Sequence, residues 1–449
     1  MTAITTSVFE LFKIGPGPSS SHTIGPMKAG YNFYNSVQEL SLASTPDSIE
    51  IRLYGSLSAT GQGHGTDRAV VAGLLGYTPE TVDCSFLNSL ADKSEHLFKL
   101  GKISLPLSVQ DVIFAEVEND FPYSNTLLIQ LKNGGNVLFE QEYYSIGGGF
   151  IKWKGQLPEI PRVPAYAYSN MEELKEILSQ KEIRLHQLIL ENEMTITESS
   201  VAEINIKLDA IIDSMKKAVK NGLAAEGVLP GPIGLHRKAK ALYENQKSAN
   251  AADNFLVKLN AYGFAASEEN AAGHIVVTAP TSGSAGVIPA VIYALEEDLG
   301  IDREMIRQAM LASAAIGFIC KHNASIAGAE VGCQGEIGVA SSMAAALITY
   351  ANGFRFWRTE NAAESALEHH LGITCDPVGG YVQIPCIERN AMGAVRAYNS
   401  YLIASVENRK FHKVTLDEAV TAMAQTGKDM SSKYKETSLG GLAVSVPNC

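Results

Sequence analysis

Positive charge is in short supply in this chain: 36 lysines and arginines stand against 48 aspartates and glutamates, for a formal net charge of -12. Nucleic acid is thereby excluded as the main partner, since holding phosphates needs concentrated positive charge, and no Lys/Arg cluster supplies it locally. Long apolar runs are missing too. No stretch approaches the length needed to span a bilayer, so no membrane partner is expected. Met1 to Phe12 shows no basic region leading into an apolar run, so no signal peptide is expected and a cytoplasmic location is. Cysteine is sparse, with six in 449 residues, and none falls in a CxxC pair or a tight ferredoxin-type run. In a reducing compartment these thiols are candidates for metal, catalysis or packing, not for a disulfide framework. Internal repeats and low-complexity tracts are absent as well.

What is present is apolar material for two cores. Hydrophobic residues at 46% and charged residues at 19% describe a globular chain, and 449 residues exceed what one ordinary core serves. Up to about Phe150 strand and helix signals are mixed. Ile49-Glu50-Ile51-Arg52-Leu53-Tyr54 alternates as a half-buried strand does. Asn125 to Leu131, then Asn133-Gly134-Gly135-Asn136, then Val137-Leu138-Phe139 reads as strand, glycine turn and strand. Pro158, Pro161 and Pro164 mark an extended connection. Beyond it Ile204, Leu208, Ile211, Ile212, Met215 and Val219 recur at helical spacing, and Thr415-Leu416-Asp417-Glu418 has the capping-box form. The expected fold is an α+β N-terminal domain (1–155), a linker (156–170) and a mostly α-helical domain (171–449). The last stretch, 436–449, has a Gly440-Gly441 hinge, a strand-like apolar run from Leu442 to Val446 and a final Cys449. An apolar tail of this kind docks rather than waves in water.

Three cysteines keep company with glycines and other small residues: Gly332-Cys333-Gln334-Gly335-Glu336, Thr374-Cys375-Asp376-Pro377-Val378-Gly379-Gly380 and Ile384-Pro385-Cys386-Ile387. Small neighbours suit a bulky cluster whose sulfurs accept backbone N–H bonds, and a helical pattern from Ile337 to Tyr350 places a helix start near Cys333. Spacing alone leaves zinc or plain burial open, and Cys84 and Cys320, each in an apolar stretch, read as small hydrophobes. Thr281-Ser282-Gly283-Ser284-Ala285-Gly286 reads equally as a carboxylate-binding loop before a helix or as a tight contact between helices. Tyr144 to Phe150, with its three glycines, suits a domain join.

As a set these motifs are recognisable. Ser7-Val8-Phe9-Glu10-Leu11-Phe12-Lys13-Ile14-Gly15-Pro16-Gly17-Pro18-Ser19-Ser20-Ser21-His22-Thr23 and Gly61-Gln62-Gly63-His64-Gly65-Thr66-Asp67 stand in the first domain. Ala279 to Gly286, Asn323 to Glu336 and the Cys375–Cys386 loop stand in the second. Together they resemble the iron–sulfur L-serine dehydratases, in the single-chain form that fuses β and α portions. The resemblance covers nearly the whole chain in the expected order; Tyr123-Ser124-Asn125 and His322 depart from the usual pattern. It implies a [4Fe–4S] cluster with Cys333, Cys375 and Cys386 as ligands and one iron without a fixed protein thiolate. It implies that the tail enters the active site and that Cys449 supplies the fourth ligand, as a built-in competitor of substrate. It also implies L-serine as substrate and a homodimer.

Such a reaction must break a Cα–H bond and expel hydroxide from Cβ, which calls for a Lewis acid at the hydroxyl and a base at the α-proton. His64, flanked by Gly63 and Gly65, is the expected base, with His22 and Asp67 beside it in catalysis. Ser20, Ser21, Thr66, Ser282, Ser284 and Asn323 are the expected substrate contacts. A lone histidine in a glycine loop is more simply an exposed one; two such loops in one domain weigh against that. Competing readings are a pyridoxal-phosphate dehydratase, for which no convincing lysine sits in a glycine-rich loop, a non-enzymatic iron–sulfur amino-acid or redox sensor, and a zinc hydrolase.

Overall fold

The computed structural model describes residues 2–42, 44–92, 94–157, 162–245 and 250–446. An α+β region precedes a mostly helical one, as expected. The α+β region is built on a five-stranded sheet in the order Val112–Phe114, Ser48–Gly55, Asn125–Asn133, Asn136–Ser145 and Ile151–Trp153. Only the first pair is parallel; the hairpin around Gly134-Gly135 pairs Asn133 with Asn136. Alternation in Ser48–Gly55 buries Ile49, Ile51 and Leu53 against Leu127, Ile129 and Leu131. Helices Gly25–Gln38 and Thr66–Leu74 complete that core with Phe33, Val37, Val70 and Leu74.

The helical region wraps around Val339–Ala351, whose thirteen residues are all buried. A helix apolar on every side has to lie inside, and this one packs against Arg303–Asn323, Phe356–Glu368 and Cys386–Val406. Other helices of this region carry the sequence signals for their starts. Val201–Ala224 opens on a capping box of Ser200 and Glu203 and buries Ile204, Leu208, Ile211, Ile212, Met215 and Val219. Leu416–Asp429 opens on the Thr415/Glu418 box.

The start of the chain does not stay with the sheet. Ile4, Val8, Leu11 and Phe12 are part of the helical core, and Ile14–Pro16 pairs antiparallel with Ile275–Val277. The expected 1–155 unit is therefore crossed at its beginning: the first turn of helix supplies apolar side chains that the other region buries. At the far end of the sheet, Lys13 Nζ donates to Gly148 O at 2.8 Å and sits 3.4 Å over the Phe150 ring, so the glycine-rich 147–149 segment does form a join. The expected linker falls partly on 158–161, outside the described residues. The tail differs in kind from expectation. Leu442–Ser445 is a short helix rather than a strand, a run too short for its pattern to tell the two apart.

Candidate active site

Two histidine loops of the α+β region meet three cysteine segments of the helical one. His64 ends the helix Ser56–His64, which stops because Gly65 takes a left-handed φ of 62° that reverses the chain. His22 lies in the π-helical turn Ser20–Ile24, with Ser19 Oγ accepting from the His22 N–H. The loops are stitched together: Thr23 Oγ1 donates to His64 O at 2.9 Å and Thr66 Oγ1 donates to His22 O at 2.7 Å. The two rings lie 4.5 Å apart. Close approach to the cysteine side occurs at Gly63, where a Cβ would stand 2.8 Å from Gly380 O. Only glycine admits that contact.

On the helical side, Cys333 caps the π-helical turn Gln334–Gly338 that leads into the buried Val339–Ala351 helix, and Cys386 starts the helix Cys386–Val406. Cys375 is held by the tail: its N–H donates to Tyr434 O at 2.7 Å and its carbonyl accepts from Thr437 N at 3.1 Å. All three thiols are buried and free. Ligand atoms of Cys333, Cys375 and Glu336 lie within 4.8 Å of one another. Cys386 joins them, with Ser19, His64, Gly283 and Glu436, in lining one small pocket of about 20 Å³.

Electrostatics differ across the pocket. A hydrogen bond from Cys375, helped by the Arg389 charge, holds the Cys333 thiol below its usual range, while the same bond and burial push Cys375 far up. Burial raises Cys386, and burial with the Cys333 charge raises Glu336. Glu336 is kept in place by Thr281 Oγ1, 2.7 Å from its Oε1. Arg389 reaches Thr374 O at 2.6 Å and Asp376 at 3.5 Å, so a half-buried cation stands behind the cysteine loop.

The histidine side is organised by Glu436, which comes from the tail. His22 Nε2 faces Ser56 O at 3.0 Å, and Nδ1 lies 3.2 Å from Glu436 Oε1. Ser21 Oγ donates to the same carboxylate oxygen at 2.8 Å. Ser21 Oγ also lies 2.9 Å from His22 Nδ1 and Ser56 Oγ 3.2 Å from Nε2, so both ring nitrogens of His22 are engaged within the protein. Burial opposes ionisation of Glu436, yet His22 holds its carboxyl down at about 2. His64 is the opposite case. Its Nδ1 is buried without a hydrogen-bond partner, and burial followed by His22 pushes its pKa down to about 3, so the ring is neutral at ordinary pH. Glu436 Oε2 and Ser282 Oγ are also buried and unpartnered. Two of these orphaned polar atoms, on His64 and Glu436, belong to residues lining the pocket and point to a polar ligand.

Of the residues singled out from sequence, the pocket gathers His64, Cys333, Cys375 and Cys386, with His22 and Ser21 directly behind them. Ser282 stands next to lining Gly283. Ser284 spends its hydroxyl on Ala279 O and Thr281 O, which shapes the loop. Thr66 holds His22, and Ser20 is buried in the turn without lining the pocket. Asp67 accepts from the Arg68 N–H, where burial raises its carboxyl, and does not line the pocket either. Asn323 is not brought there: its amide donates to Ser169 O at 2.7 Å, closing a helix end. Cys449 lies outside the described residues. Unforeseen were Glu436, Glu336 and Arg389. Glu336 follows Cys333 by three residues inside a quoted motif and was open to notice; nothing in the sequence around Glu436 distinguishes it.

Comparison with known proteins agrees with this division. Residues 7–156 match the family described as serine dehydratase beta chain and residues 180–443 the one described as serine dehydratase alpha chain. The "L-serine dehydratase" of Haemophilus influenzae is 40% identical over 462 residues, covering 98% of this chain and 99% of its own. "L-serine dehydratase 2" of Escherichia coli is 40% identical and covers 99% of both chains. The "L-serine dehydratase" of Streptomyces coelicolor is 41% identical, again over 99% of both. Matching beta and alpha portions in sequence, and relatives alike from end to end, the chain belongs to the serine dehydratase family in its single-polypeptide form.

Proposed function

We propose that this protein is an L-serine dehydratase, a lyase that converts L-serine to pyruvate and ammonia with a [4Fe–4S] cluster held by Cys333, Cys375 and Cys386. One observation carries the reading: a buried, neutral His64 with an unpartnered Nδ1 shares a pocket with three buried free thiols. The donor set fits the cluster, since soft thiolates are what iron–sulfur centres take, and glycines at 283 and 328 keep the surroundings of Glu336 and Cys375 small. Bound there, the cluster would supply a Lewis acid for the departing β-hydroxyl.

The chain's own residues do the rest. His64 Nδ1 accepts the α-proton, for which it must be neutral and free of other bonds. His22, held against Ser21 and Glu436, stands beside His64 and steadies the substrate carboxylate. Ser282 Oγ is available to the substrate's polar groups. Glu436, from the tail, completes the histidine side through Ser21 and Ser56. The released aminoacrylate hydrolyses in water unaided. In keeping with the family resemblance, Cys449 is assigned as a fourth ligand that L-serine displaces, and the enzyme as a homodimer of the cytoplasm; among the described residues no helix is long and apolar enough to cross a membrane.

Glu336 beside Cys333 and Cys375 also makes a donor set that zinc accepts. Metal analysis of anaerobically purified protein separates the two readings. Anaerobic reconstitution with iron and sulfide, followed by a pyruvate assay on L-serine, is the test of function. Pyruvate formation that is lost in air supports the proposal; an intact cluster with no pyruvate favours a non-enzymatic sensor instead.

A further inference from the structure

A separate pocket borders the Cys386 segment. It encloses about 100 Å³ and shares no lining residue with the three-thiol pocket. Its walls carry Leu235, Phe264, Ile384 and Ile387, its buried polar residues are Glu268 and Gln383, and the exposed His236, Lys238 and Glu388 also line it. Both polar residues are almost wholly buried, at 1% and 2% exposure. Glu268 uses one carboxylate oxygen for the N–H groups of Lys238 (2.6 Å) and Ala239 (3.2 Å), and its Oε2 has no partner. Gln383 donates through its amide to Pro230 O at 2.7 Å, and its Oε1 has no partner.

Two buried acceptors without donors, one of them acidic, sit in an apolar chamber. Such groups are destabilising until a donor reaches them. A donor-only, positively charged group answers both, and an ammonium has three N–H bonds and no acceptor. A divalent ion fits poorly, because it needs six or more oxygens and would leave the apolar walls without contact. We propose that this pocket binds a primary ammonium carried on a short aliphatic body, with Glu268 as counter-charge and Gln383 as second acceptor. Burial holds the Glu268 carboxyl at about 7, so the ionised form is within reach when a cation arrives. The same chemistry belongs to a simple amine and to an aliphatic amino acid. In the second case Lys238 Nζ at the rim, now 2.9 Å from Glu388, is placed for the ligand's carboxylate. Because Gln383, Ile384 and Ile387 flank Cys386, an occupant steadies the segment that presents this thiol.

The test is calorimetric titration of the full chain, purified anaerobically, with n-butylammonium, with the neutral isostere n-butanol and with L-norvaline. Saturable binding of n-butylammonium that n-butanol does not show, weakened at least tenfold in Glu268→Gln, is the expected result. The part of L-norvaline binding that Glu268→Gln removes reports the amino-acid source; none removed, with n-butylammonium still affected, assigns the amine. Equal binding of n-butanol, no binding of n-butylammonium, or an unchanged affinity in Glu268→Gln overturns the proposal. Should Glu268→Gln fail to fold, Phe264→Trp fills the apolar floor, and undiminished n-butylammonium binding in that variant overturns it equally.

Discussion

The two walls of the active-site pocket solve opposite problems. On the histidine wall nearly every polar atom is satisfied within the protein: His22 is bonded at both nitrogens, Ser21 and Ser56 converge on Glu436, and Thr23 and Thr66 tie the loops. Two atoms are left over, Nδ1 of His64, the base, and Oε2 of Glu436. On the cysteine wall several ionisable groups crowd together, Cys333, Cys375 and Glu336 within 4.8 Å, and burial disfavours charge on most of them. A rigid wall with one free base suits proton transfer, where geometry sets the rate. A wall of crowded soft donors suits a guest that brings its own positive charge. The lesson is that the walls have separate duties, and substitutions ought to separate them.

The largest effect is expected on the cysteine wall. Cys375→Ser replaces a soft donor by a poor iron ligand, and should abolish the broad visible absorbance and lower anaerobic pyruvate formation by roughly 10³-fold or more. Full turnover without the absorbance would dissolve the contrast between the walls. Next comes His64→Ala, which should leave the absorbance intact and lower turnover by about 10²–10⁴-fold, the range for a lost general base. Near-normal turnover would remove His64 from that role.

Glu436→Gln tests how far the histidine wall depends on the tail. It takes the carboxylate away from Ser21 and His22, and leaving a buried hydrogen-bonding group unsatisfied costs about 1–3 kcal/mol. The expected readouts are a lower denaturation midpoint and a smaller loss of turnover than for His64→Ala, again with intact absorbance. An unchanged midpoint would mean that the tail is a passenger on that wall.

The smallest effect lies away from both walls and sets the scale for burying an acid without purpose. Glu364 is pushed up to about 9 by burial and then by Glu368, from an ordinary 4.5. The folded protein therefore keeps a proton there that the unfolded chain releases above its ordinary value. The stabilising contribution is complete below pH 4.5 and is lost as pH rises through 9. Glu364→Gln should raise the thermal midpoint at high pH and hardly move it near pH 5. An equal rise at both would show that the carboxyl is ionised in the folded state.

Much of the architecture was legible in the residues. Alternation marked Ser48–Gly55, the glycine turn marked the 125–145 hairpin, and capping boxes marked Val201–Ala224 and Leu416–Asp429, because those signals act over a few neighbouring residues. The tail was less legible. Leu442 to Val446 has apolar residues in a run, and a run that short does not distinguish strand from helix. Polar motif residues were the hardest to assign. Ser284, Thr66 and Asn323 look like substrate contacts in sequence, yet their hydrogen bonds go to the backbone around them.

By itself, the sequence determined the two-part organisation, the three small-residue cysteine segments and the two glycine-bounded histidine loops, since each is a local pattern with a local cause. Tertiary structure alone decided which of those residues face one another. It brought Gly63 against Gly380, folded residues 4–12 into the core of the other region, and carried Glu436 across some 400 positions to His22. It also decided that His22 is committed and His64 is free. The physical reason is that an atom's availability for chemistry depends on which partners surround it, and those partners come from segments far apart in the chain.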